Sequence, residues 1–64
     1  MRSTEHRRWS FRAVNAEDAM AQMDVEMRRL GHRVITHEEV APSPLRGFWR
    51  VRSFIELRAF KKEA

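Results

Sequence analysis

Sixty-four residues, 34% charged and 42% hydrophobic with a net charge of +4 at pH 7, describe one small domain that buries only ~60% of its unfolded surface. The absence of cysteine excludes disulfides, thiolate nucleophiles, iron–sulfur clusters and cysteine zinc sites, and His6, His32 and His37 are not spaced to close a metal site on one element. No apolar run is long enough to span a bilayer or serve as a signal peptide, so the chain reads as cytoplasmic and free of membrane.

The opening MRSTEH lacks any pattern and is expected to form a loose polar arm. From residue 7 to 14 the sequence alternates, Trp9, Phe11 and Ala13 against Arg8, Ser10 and Arg12, which is the period of a half-buried strand. Asn15 then offers an amino-terminal cap, with Glu17 and Asp18 beside the unpaired amides of a first helical turn. Met20, Met23, Met27 and Leu30 recur at steps of three, four and three and, with Ala16 and Ala19, form one apolar stripe. Asp24 is placed to pair with Arg28, Arg28 and Arg29 suit the carboxyl-terminal dipole, and Gly31 suits the left-handed residue that ends a helix over 16–30. Val25, on the opposite face, reads as a lone exposed apolar residue.

Residues 33–40 hold the β-branched run Val34, Ile35 and Thr36 before turning polar at His37, Glu38 and Glu39, as a short edge strand does. Pro42, Pro44 and Gly47 mark a hairpin connection. Residues 48–60 make the longest strand candidate, with Trp49, Val51, Ser53, Ile55 and Leu57 on one face and Phe48, Arg50, Arg52, Phe54, Arg58 and Phe60 on the other. The expected fold is therefore a single α+β domain of βαββ order, a three-stranded sheet whose third strand is central and antiparallel to the other two, with one helix on one face. A helix of about 22 Å cannot cover a thirteen-residue strand of about 43 Å, so residues 56–60 are expected to overhang both neighbours and to favour self-association.

Charge is segregated along the chain. The first and third strands are basic, whereas the helix and second strand hold most of the acids, and arginine outnumbers lysine by eleven to two. By parity Arg8, Arg12, Arg50, Arg52 and Arg58 share the sheet face away from the helix, interleaved with phenylalanines. Arginines between aromatics are the chemistry of single-stranded nucleic-acid binders, in which guanidinium groups meet phosphates and rings stack on bases. The same face also suits an acidic protein surface, as in phage- or plasmid-type inhibitors, or another copy of the chain, with Phe48, Phe54, Leu57 and Phe60 as the oligomer interface. The expectation is a non-enzymatic, homo-oligomeric binding or adaptor protein with no cofactor and no metal. Catalytic patterns are not found: Glu38 and Glu39, adjacent on a strand, should point to opposite faces, and only two glycines are present. Arg2 stands where small tautomerases of βαβ build carry an amino-terminal proline base.

The length and the βαββ order resemble the dodecins, which assemble into hollow shells and stack flavins against a tryptophan of the sheet. Trp49 would take that part. The resemblance implies, as the alternative function, an oligomeric container for flavin.

Overall fold

The computed structural model describes residues 3–57 as β1 (Ser3–Arg12), α1 (Ala16–Arg29), β2 (Arg33–Pro42) and β3 (Phe48–Leu57). The sheet order is β1-β3-β2, with both neighbours antiparallel to β3, as expected of a central third strand. α1 lies on one face and rests most heavily on β2.

Local chemistry fixes both ends of the helix. Asn15 is extended, and its side-chain oxygen accepts from the Asp18 amide at 2.8 Å, while the Asp18 carboxylate accepts in return from the Val14 amide at 3.1 Å. Gln22 ties the first turns to the sheet by donating to the Arg12 carbonyl at 2.8 Å. At the other end the amides of Gly31 and His32 donate to the carbonyls of Arg28 and Met27, and Gly31 takes φ +88°, which a side chain would strain.

The core is small: Ala19, Met23 and Met27 of the helix meet Val51 and Ile55 of β3, with Ala13 beside them and Trp9, Phe11, Val34, Val40, Trp49 and Leu57 packed around the edge. Leu30, placed in the stripe by its spacing, is instead exposed, because the helix ends before it and Leu30 serves as the carboxyl-terminal cap. Asp24 turns to His37 of β2 rather than to Arg28.

Two expectations about strand ends are corrected. Ser3 to His6 do not form a loose arm; they extend β1 and pair with Leu57 to Phe54, because a central strand needs a backbone partner along both edges. Glu5 and Arg7 consequently face the helix side, where Arg7 Nε donates to Glu5 Oε2 at 2.8 Å. The overhang is therefore absent as far as Leu57, since Ser3 pairs with Leu57 and Arg33 with Glu56; the expected strand beyond, residues 58–60, lies outside the described residues. β2 likewise runs on to Pro42, which an edge strand tolerates.

The two edges differ in build. β1 pairs with β3 over ten residues in unbroken register. β2 is interrupted twice, between Val34 and Thr36 and between His37 and Glu39, so Ile35 and Glu38 are the extra residues of β-bulges.

Candidate functional site

The sheet face away from α1 is the surface with no element over it among the described residues. Cross-strand register sets its contents. β1 contributes Thr4, His6, Arg8, Ser10 and Arg12; β3 contributes Phe48, Arg50, Arg52, Phe54 and Glu56; Thr36, Glu39 and Ala41 of β2 stand opposite Phe54, Arg52 and Arg50. Arg8 faces Arg52 directly across β1 and β3, and Ser10 faces Arg50. The structure thus brings together four of the arginines singled out by parity. Arg58 lies outside the described residues.

These cations are not equivalent. Arg52 lies 3.6 Å from Glu38 through its Nε, and Glu38 also accepts from His6 Nδ1 at 2.6 Å. Arg33 meets Glu56 at 3.1 Å, and Glu56 is nearly buried. Arg12 lies 5.5 Å above the Phe48 ring as a cation–π contact. Arg8 and Arg50 are exposed, and among the described residues neither has a carboxylate within ion-pair distance. Positive charge is therefore unopposed toward the hairpin end of the face, at Arg8, Arg12 and Arg50. The acids gather toward the other end.

A depression of about 150 Å³ opens among Arg8, Arg50 and Arg52, bounded on the β2 side by Glu39 and Ala41. Ala41, opposite Arg50, is short and leaves room that a long side chain would fill. Guanidinium groups on directly opposed and diagonal positions of neighbouring strands stand within about 5–8 Å at their bases, a spacing at which they repel unless an anion lies between them.

The expectation that Glu38 and Glu39 point to opposite faces is overturned. The bulge at Glu38 breaks the alternation, so Glu39 pairs with Arg52 while Glu38 reaches His6 and Arg52, and both carboxylates share the outer face. Strict two-residue periodicity in the sequence carries no sign of this.

The phenylalanines do not form one open apolar surface. Phe48 is half-buried under Arg12, and Phe54 is half-buried against His6, whose ring centroid lies 4.9 Å away at a tilt of 42°. Leu57 faces the opposite side of the sheet and packs against the core, away from Phe48 and Phe54, so these three cannot belong to one flat interface. Phe60 lies outside the described residues. Trp49 also faces the helix side, where it packs against the core.

One constellation on the inner face was missed in the sequence. His37 does not sit on the surface; its Nδ1 lies 2.7 Å from Ser53 Oγ and its Nε2 3.1 Å from Asp24 Oδ1. A carboxylate only accepts, so in the neutral ring Nε2–H donates to Asp24 and Nδ1 accepts from the Ser53 hydroxyl. The carboxylate–imidazole–hydroxyl order is that of hydrolase triads, but Ser53 has 0% of its surface exposed, leaving a substrate carbonyl no approach to its oxygen. The chain joins helix, edge strand and central strand by polar bonds that run from the buried Ser53 to Asp24, whose side chain is 46% exposed. Its signal in the sequence was Ser53 itself, a hydroxyl at a core position of an otherwise apolar row, which requires a partner.

Among the described residues no cluster of three or more histidine or acidic side chains is arranged to hold a metal ion, and no helix is long and apolar enough to cross a membrane. No protein-family model, curated protein or solved structure matches the chain.

Proposed function

We propose that this chain is a non-enzymatic, homo-oligomeric binding protein whose outer sheet face holds a single-stranded nucleic acid through its phosphates. The observation that carries this reading is the pair Arg8 and Arg50, exposed and with no carboxylate within ion-pair distance among the described residues on an uncovered face, with Arg12 four residues beyond Arg8 on the same side of β1. Arginine's planar fork suits phosphate oxygens, whereas the two rings of this face are covered in part by Arg12 and His6, so the reading rests on phosphate contacts. An acidic protein would meet the same cations. The shallow depression among Arg8, Arg50 and Arg52 favours a small anionic group over a flat protein surface. The dodecin-like container is less favoured, because Trp49 packs on the helix side and offers no open indole on the outer face.

Fluorescence anisotropy of labelled RNA and DNA oligonucleotides at low and near-physiological salt tests the reading. Affinity should fall with salt at a slope of about −0.7 per phosphate contact, hence near −2 for three arginines, and Arg8→Glu with Arg50→Glu should weaken binding for every base sequence alike. Absence of association at low salt would refute it. Self-association is read separately by light scattering, where a mass of two or more 7.7 kDa chains is expected at micromolar concentration and a 7.7 kDa particle rejects the oligomer.

A further inference from the structure

We infer that the depression among Arg8, Arg50 and Arg52 is a subsite for a terminal phosphate monoester, so that the nucleic acid is held by its phosphorylated end rather than along its length; this rests on the nucleic-acid reading above. The inference comes from what surrounds the arginines. Along the outer face, charge runs from unopposed cations at the hairpin end, Arg12 with Arg50 and Arg8, to acids at the other, Glu38 and Glu56. Glu39 stands on the β2 side, opposite Arg52, and among the described residues it takes no cation within ion-pair distance. A polyanion entering over Arg12 gains at Arg50 and Arg8 and meets carboxylates one step further on, whether it continues along β3 or crosses toward β2. The favourable path is one phosphate long beyond the depression's mouth.

The donors match such an end. A phosphate monoester presents three terminal oxygens and a charge near −2 at neutral pH, whereas an internal diester presents two free oxygens and a single charge. Three arginines line the depression from positions that are directly opposed, Arg8 and Arg52, or two residues apart on one strand, Arg50 and Arg52, the last with its Nε 3.6 Å from Glu38. Each fork carries donors in a plane suited to two oxygens of one group. The volume, about 150 Å³, accommodates one tetrahedral group with its nearest waters, and no aromatic side chain lines it for a base to stack on. Rings lie outside it, Phe48 beyond Arg50 and Phe54 beyond Arg52 on the same row of β3. Glu39, in the wall of the same depression, offsets part of this attraction and also opposes a second phosphate on the β2 side.

The experiment is a set of titrations of the full chain with short labelled single strands that differ only in carrying a terminal phosphate or a terminal hydroxyl, at the 5′ or the 3′ end, with inorganic phosphate as competitor. The expected result is roughly tenfold tighter binding of a phosphorylated end, a difference of 1.4 kcal/mol in affinity, with inorganic phosphate abolishing the difference. Arg50→Gln and Arg8→Gln, both at exposed positions, should each erase the preference while thermal melting stays unchanged. Glu39→Gln should tighten binding of both strands, and of the phosphorylated one more because its end carries the larger charge, an effect that loss of folding cannot mimic. Equal, salt-dependent binding of phosphorylated and hydroxyl ends would overturn the end-recognition and leave the nucleic-acid reading standing. No binding of any strand would overturn both, and a phosphoserine peptide binding as tightly as the phosphorylated strand would overturn the assignment of the phosphate to nucleic acid.

Discussion

Two three-membered polar clusters lie on opposite faces of the same stretch of sheet, each built from one histidine, one carboxylate and one residue of β3. Inside, Asp24, His37 and Ser53 are linked at 3.1 and 2.7 Å, with Ser53 fully buried and the His37 side chain 16% exposed. Outside, His6, Glu38 and Arg52 meet at 2.6 and 3.6 Å, with the His6 side chain 58% exposed. Similar groups at similar distances thus have unlike consequences. A buried polar group that loses its partner has no water to turn to, whereas an exposed one exchanges protein for solvent at little cost. The inner cluster is committed to holding α1, β2 and β3 together; the outer cluster can open to solvent and reform.

The largest effect should come from breaking the inner chain. Ser53→Ala leaves His37 Nδ1 without its donor in the core and is expected to destabilise by about 1–3 kcal/mol, visible in urea unfolding as a lower midpoint at unchanged slope. In a chain of this size each kcal/mol lowers the melting temperature by about 4–8 °C. Removing all three partners together, as Asp24→Leu, His37→Leu and Ser53→Ala, should cost less than Ser53→Ala alone, because apolar groups leave nothing unsatisfied. A triple variant less stable than the single one would show that the polar chain contributes attraction of its own.

The comparison is sharpened from the other side by His6→Ala with Glu38→Gln. Stability should change by less than about 1 kcal/mol, since both groups are solvated and their attraction is screened. The same change frees Arg52 from its carboxylate neighbour, so anion binding at the outer face should strengthen, and most clearly at low salt. A loss of more than about 2 kcal/mol in unfolding would place the outer cluster among the elements that hold the fold.

How far the sequence exposed this layout depends on which signal each element carried. The helix was legible because cap, charge and stop agree: Asn15, Asp18 and Gly31 each do in the structure what their chemistry suggests. The central position of β3 was legible from connectivity, and the two faces of β1 and β3 followed from alternation, which placed Arg8, Arg12, Arg50 and Arg52 together. What escaped was decided by partners distant in sequence. Ser3 to His6 join the sheet because β3 lies beside them, not because their own side chains ask for it. Glu38 and Glu39 share a face because of a bulge whose cause is tertiary, and Phe48 and Phe54 lose their open surface to Arg12 and His6 of a neighbouring strand. His37 reads as an edge residue until the helix supplies Asp24 above it.

The unequal edges of the sheet set the valence of any growth by strand addition. A filament of this kind needs every copy to offer two straight borders, one to accept and one to donate. Here the bulges at Ile35 and Glu38 and the proline at position 42 spoil one border, while β1 keeps its ten residues in even register. Two chains that met along β1 would use up the straight border that each has among the described residues, and what remained facing outward on both sides would be the bent one. Backbone pairing of that kind would therefore close at two copies and carry its own chain terminator, which would keep a small, arginine-rich domain with a thin core from polymerising through its sheet.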